Sequence, residues 1–199
     1  MKISLLLKDI VRKNKKEKIS INDILNVNKN NSYFLIFLLA VLSLIPTPFP
    51  IPIFSNFFGI VMTILFSQIF LDAKKLKLPK FIGNISIKKT IFEKLVNKTV
   101  VYIEKIENVS CRRITFYKNK FFMITIKFLL LIMCMCVITP LPIINTLPAV
   151  GVIITIFGIL NSDGIFVIIG ILFGILGIST LGLAIVFGKI FLQKIGFLK

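Results

Sequence analysis

Residues 33–71 read YFLIFLLAVLSLIPTPFPIPIFSNFFGIVMTILFSQIFL, without a single Lys, Arg, Asp or Glu. Tyr33–Ile45 is an apolar run of thirteen residues. As a helix rising 1.5 Å per residue it covers about 20 Å, short of the roughly 30 Å hydrocarbon core of a bilayer. Pro46, Pro48, Pro50 and Pro52 then fall within seven residues. Each removes a backbone donor and fixes φ, so no helix continues through them. Ile53–Leu71 resumes as an apolar helix long enough to cross. The stretch predicts two helices separated by a proline break, set in a membrane.

A second stretch has the same character. From Phe128 to Gly188 the only charged residue is Asp163. Phe121–Thr139 is apolar, with Lys127 near its start, where a lysine can snorkel to the interface. It ends in a cluster containing Pro140, Pro142 and Pro148. Ala149–Leu160 is again short, about 18 Å as a helix. Asn161-Ser162-Asp163-Gly164 interrupts it with turn-forming residues, and Ile165–Gly188 is a full-length span. Gly170, Gly174, Gly177 and Gly182 give this span a small-residue face suited to close helix packing.

The two proline regions align at an offset of 92 residues: Pro48 and Pro50 match Pro140 and Pro142, Gly59 matches Gly151, and Thr63 matches Thr155. Repeats with broken helices are common in membrane transporters. Backbone freed by proline at membrane depth has to be buried in protein or face water. Two readings stand: related re-entrant units meeting inside the fold, or ordinary hairpins with proline-rich outer loops.

The chain of 199 residues is 56% hydrophobic and 17% charged, with a net charge of +17 and a mean hydropathy of +0.95. Soluble domains are about 45–50% apolar and about 25% charged. Nearly all charges lie in 1–32, in 73–120 or in 189–199. Basic segments beside apolar ones follow the positive-inside rule. Residues 1–32 and 73–120 are therefore expected in the cytoplasm, around the membrane segments 33–72 and 121–188. The same distribution argues against nucleic acid as a partner and for membrane lipids. If Ala149–Leu160 is re-entrant and Ile165–Gly188 returns inward, the basic tail 189–199 is cytoplasmic, as its lysines prefer. No cleavable leader is expected, because the apolar residues of the first segment come in short groups.

Within the polar middle, Thr90 and Glu93 fit a capping box. Phe92, Leu95, Val96, Val100, Ile103 and Ile106 recur at helical spacing after it. Lys94, Lys98, Glu104, Lys105 and Glu107 are expected away from that stripe. This predicts an amphipathic cytoplasmic helix over about Ile91–Asn108, lying on the membrane surface or packed against the membrane part. The fold class is an all-α integral membrane protein. It has four to five apolar helical segments in two proline-broken hairpins, and this one amphipathic helix.

The chemistry classes narrow quickly. The chain has no His, which removes His-based acid–base and metal sites. Cys111, Cys134 and Cys136 form no C-x-x-C pair and read as small apolar residues. There is no Gly-rich phosphate loop and no nucleophile–base motif, so neither an enzyme nor a cofactor is expected. Asp163, alone in apolar sequence, is a candidate for a polar pathway by the cost of burying a carboxylate; a capping Asp at the interface is the plainer reading. Asn145, Gln68 and Asn56 are suited to bonding freed backbone groups or to lining such a path. Arg112 and Arg113 mark the inner interface or bind lipid phosphate.

The order of these landmarks resembles the ExoD family of bacterial membrane proteins. The second half carries Pro140-Leu141-Pro142, Asn145, Leu147-Pro148-Ala149, Gly158-Ile159-Leu160 and Asp163-Gly164. The first half carries Ile45-Pro46 and the prolines after it, Ser55, Gly59, Gln68 and Leu78-Pro79. Cys111-Arg112-Arg113 stands where the family has an arginine-rich junction. The resemblance runs from about Asn22 to Gly177. Ser162 replaces a basic residue before Asp163-Gly164, and Ile53 replaces a glycine after the first proline cluster. The resemblance implies a bacterial membrane protein with a part in exopolysaccharide synthesis; together with the apolar segments and their basic flanks, the expectation is a multi-pass inner-membrane protein with its N-terminus inside. The resemblance names a process and not a reaction. Movement of an ion or lipid at the repeat interface is one mechanism open to such a protein. Scaffolding of polysaccharide-synthesis proteins through the cytoplasmic helix is the other.

Overall fold

The computed structural model describes residues 3–14, 17–20, 32–44, 53–72, 83–84, 86–111, 119–139 and 145–194. Seven helices occur among them. They are α1 (Ile3–Lys13), α2 (Ser32–Ser43), α3 (Ile53–Phe70), α4 (Lys89–Val109), α5 (Lys120–Cys136), α6 (Thr146–Asn161) and α7 (Gly164–Lys194). Pro46, Pro48, Pro50, Pro52, Pro140, Pro142, Arg112 and Arg113 lie outside the described residues.

Four apolar helices form an up-down-up-down bundle. α3 packs against α2 and α5, and α6 against α2, α5 and α7. Every neighbour in this ring runs antiparallel, although only α2–α3 and α5–α6 are joined by short connections. Tyr33 stacks edge-on to Phe66 with centroids 6.2 Å apart, and Phe70 lies 6.4 Å from Phe128. These contacts place the start of α2 level with the end of α3 and the middle of α5, whose first two turns run on past that level with Phe121, Phe122 and Ile124 exposed. The interior holds Phe34, Leu39, Met62, Leu65, Phe66, Leu130, Met133, Val152 and Ile156, all fully buried.

Close approach of backbones decides how α6 and α7 pair. A Cβ on Gly151 would stand 2.7 Å from Gly174 N, and one on Gly158 would stand 2.6 Å from Val167 N. On Gly170 it would overlap Thr155, and on Gly177 it would meet the ring of Pro148 at 2.5 Å. Only glycine fits such positions. The two helices form an antiparallel hairpin in which Gly177 is level with Pro148, in the first turn of α6. Pro148 therefore belongs to α6 and not to the break; a first-turn N–H is an orphan anyway, so the ring costs nothing there. Beyond this level α7 continues alone. Nothing lies within 4 Å of a Cβ on Gly182 or Gly188, and Leu183, Ile185, Val186, Phe187, Ile190 and Phe191 are exposed. α7 is long and apolar enough to cross a membrane over Gly164–Phe191, 28 residues with mean hydropathy 2.5.

The polar segments make a unit of their own. β1 (Lys18–Ser20) pairs antiparallel with β2 (Ser86–Lys88) in the register Lys18↔Lys88, Ile19↔Ile87, Ser20↔Ser86. Lys89 N donates to Glu17 O at 2.8 Å. This ribbon was not expected; three residues per strand are too few to show a period in sequence. α1 buries Ile3, Leu7 and Ile10 against Phe92, Val96, Val100 and Ile103 of α4. The stripe foreseen on α4 is thus taken up by α1.

Three local expectations are corrected. α4 starts at Lys89, and its N-cap Lys88 makes no side-chain capping bond. The capping box does not form because Thr90 is already inside the helix, and Glu93 lies 3.7 Å from Lys89 instead. Ile106 is largely exposed, and Glu107 is buried in its stead.

Candidate functional site

Asp163 is 2% exposed and joins three parts of the molecule. α6 ends with Ser162 in the left-handed conformation at φ 59°. Ser162 N donates to Ile159 O at 3.3 Å and Asp163 N to Gly158 O at 2.8 Å, which is the Schellman pattern of helix termination. Asp163 then caps α7: its Oδ1 accepts from Ile165 N at 3.1 Å. A carboxylate is favoured there by the helix dipole. Its Oδ2 accepts from Ser110 Oγ and from Cys111 N, both at 3.1 Å. The residues that follow α4 are thereby stitched to the α6–α7 turn. The carboxyl group is buried, and three donors satisfy it.

Glu107 is the second buried carboxylate and was missed by sequence reasoning. Oε1 accepts from Ile3 N, and from Ser4 N at 3.2 Å; Oε2 accepts from Ser4 Oγ at 2.6 Å. It caps the N-terminus of α1 from a position 104 residues away. The signal was present. Phe92, Val96, Val100 and Ile103 lead at helical spacing to 107, not to 106. Beside it, Lys8 Nζ donates to Glu104 Oε1 at 2.8 Å on the surface.

Asn145 sits at the other end of the bundle, 4% exposed. Its Nδ2 donates to Val137 O at 3.3 Å and to Thr139 O. Its Oδ1 accepts from Thr139 Oγ1 at 2.6 Å, and that hydroxyl also lies 2.6 Å from Cys136 O. One amide thus satisfies carbonyls left open where α5 stops. Gln68 Nε2 donates to Ile64 O, at 3.2 Å, on its own helix α3. Asn56 is half-buried in the first turns of α3.

The four candidates are therefore parted. Asp163 and Gln68 belong to the end of the bundle where α3 finishes, and Asn145 and Asn56 to the end where α5 finishes and α3 begins. Asp163 and Asn145 are about 27 Å apart along α6 at helical rise. Among the described residues of α6 between them, Thr155 is buried and its Oγ1 donates to Gly151 O at 2.7 Å, while the buried Nδ2 of Asn161, two residues from Asp163, has no hydrogen-bond partner.

At the end of α3, Lys127 Nζ donates to Asp72 Oδ1 at 2.6 Å and to Ile69 O at 3.4 Å. Lys127 thus has specific partners at the end of α3. Its ammonium lowers the pKa of Asp72, first through the hydrogen bond and then through its charge. Among the described residues no three His, Cys, Asp or Glu side chains come together as a metal site.

No curated protein and no solved structure matches the chain. The family described as "Exopolysaccharide synthesis, ExoD" matches residues 3–183, and the chain belongs to that family.

Proposed function

We propose that this chain is a non-enzymatic protein of the bacterial inner membrane. It supports exopolysaccharide synthesis by holding a folded basic unit at the inner face, where polysaccharide-synthesis proteins dock. The observation that carries this reading is the Asp163 joint. A buried carboxylate that bonds Ser110 and Cys111 and also caps α7 couples the polar unit of α1, β1, β2 and α4 rigidly to the apolar helices. A partner held by the unit is held at the membrane.

The membrane placement draws on charge and on α7. The basic segments on both sides of α2 and α3 favour the cytoplasm, and the Asp163 turn shares their end of the bundle. α7 then runs outward from that turn. From the level of Pro148 it covers a further 18 Å or so before Lys189, at helical rise. With Lys189 at the outer interface, the last turns of α2 and α5 and the first turns of α3 and α6 lie below the outer surface, as in re-entrant hairpins. Asn145 fits that depth, because a break reached by water has no need of a buried amide for its carbonyls. The inward return of the last helix, expected from its lysines, is not part of this reading.

α2–α3 and α5–α6 act in it as two copies of one unit. Thr63 Oγ1 donates to Gly59 O at 2.8 Å as Thr155 Oγ1 does to Gly151 O at 2.7 Å. α2 packs on α6 as α5 packs on α3, the exchange a two-fold axis along the membrane normal requires.

The test is crosslinking in living cells from Leu5, exposed on α1, with Phe187 on α7 as control. Adducts with polysaccharide-synthesis proteins from position 5 alone are expected. A variant that restores exopolysaccharide yet crosslinks to no such protein from the inner unit overturns the scaffold reading. The depth of these helix ends favours a second reading, movement of an ion or lipid at the interface of the two hairpins. Proton, cation or lipid flux in liposomes that Asn145→Ala abolishes is the result that establishes it.

A further inference from the structure

α4 has a second surface that α1 leaves uncovered. Phe92, Val96, Val100 and Ile103 face α1. Turned away from α1, at 100° per residue, stand Val101, Tyr102 and Val109, and Ile106 stands on the flank between this side and the α1 stripe; all four are large, apolar and exposed. Lys98 and Lys105 lie among them, also exposed. α4 has three acids, and none shares this face. Glu107 is buried under α1, Glu104 pairs with Lys8, and Glu93 lies toward Lys89. The helix is therefore apolar on two sides and segregates its charge: acids toward its own unit, lysines outward.

Apolar side chains interleaved with lysines and free of acids are the chemistry of a helix lying in the headgroup layer of an anionic membrane. The position agrees. Val109, 69% exposed, is the last residue of α4, and Ser110 and Cys111 after it are fixed to Asp163 at the inner end of the apolar helices. We propose that the outward face of α4 rests on the anionic inner leaflet of the same membrane. The unit is then layered, with lipid against α4, α4 against α1, and α1 toward the cytosol. This rests on the inner-face placement above and names what the unit's basic side is for.

Nitroxide scanning of the full chain in nanodiscs tests it. Cys111→Ser, Cys134→Ala and Cys136→Ala clear the background. Labels go singly at Tyr102 and Ile106, at Asn97 on the flank, and at Leu172 on the exposed side of α7. The probe is the bilayer itself, phosphatidylcholine alone or with phosphatidylglycerol. With anionic lipid, labels at 102 and 106 are expected to be accessible to oxygen and shielded from a water-soluble nickel chelate, and the label at 97 the reverse. Lys98→Glu with Lys105→Glu is expected to return 102 and 106 to water, since each lysine strengthens attachment to an anionic surface by about fivefold. If 102 and 106 meet the chelate in both lipids while 172 reads as hydrocarbon, this inference is wrong and the membrane placement stands. If 172 also meets the chelate, both fall. Labels at 102 and 106 shielded from both reagents point to a protein surface and overturn the lipid assignment.

Discussion

Glu107 occupies the buried stripe of α4 because two backbone N–H groups and a hydroxyl of α1 converge on it. Replacing it with alanine removes those acceptors together. Glu107→Ala is expected to destabilise the docked α1 by about 2 kcal/mol, read as faster hydrogen exchange of α1 amides in the full chain. Ser162 presents the opposite case. It takes a left-handed conformation that glycine adopts freely and other residues adopt at a cost, and its side chain makes no bond that the turn relies on. Ser162→Gly is expected to stabilise the chain by roughly 0.5–1 kcal/mol, seen as a raised midpoint of unfolding in detergent. Asp72 sets a pH dependence. Its pKa is lowered in the fold, so its ion pair stabilises above the ordinary carboxylate pKa and that contribution is lost as pH falls through the lowered one. Asp72→Asn should remove the dependence in that window, and added salt should shrink it, because the carboxylate is exposed. The candidate site was legible here in part. Asp163 and Asn145 stood out as polar groups in apolar surroundings, but their partners did not. Ser110, Cys111 and Thr139 are ordinary residues made important by where the chain brings them.

Helices were the more legible scale. The apolar runs marked α2, α3, α5 and α6 to within three residues at each end, since length and lack of charge suffice for them, whereas α7 runs six residues past the expected Gly188, through Lys189 to Lys194. α4 was legible from its stripe, although that period could not say whether lipid or α1 would cover it. The two-stranded ribbon and the capping at the start of α4 were not legible; both depend on a distant segment and not on local propensity. The α6–α7 hairpin gives a clean test of how glycine works at close range. A Cβ on Gly170 would overlap the Thr155 backbone, which cannot give, whereas a Cβ on Gly182 meets nothing. Gly170→Ala is expected to cost about 1–3 kcal/mol, and Gly182→Ala to be neutral or slightly stabilising. Gly174→Ala should fall between them, because it would press on the flexible end of Met133. Denaturation of the three variants side by side checks the order.

At the scale of the molecule the polar unit and the far end of α7 stand on opposite sides of the apolar bundle. In intact cells a cysteine at Gln193 is expected to react with a membrane-impermeant maleimide, and one at Leu5 only after the inner membrane is opened; equal labelling of both refutes the placement. The Glu107 cap also has a consequence in time. The acceptor for the first turn of α1 lies 104 residues later in the chain, and the anchor for Ser110 lies 53 residues later still. A nascent chain leaving the ribosome has made both helices of the first hairpin before α1 has its cap, and α6 before the joint can close. The polar unit, complete once Val109 is made, can therefore close before α5, α6 and α7 exist. Its joint to the apolar helices closes last, so a chain that stops short of Asp163 carries a folded polar unit with nothing to hold it to the bundle.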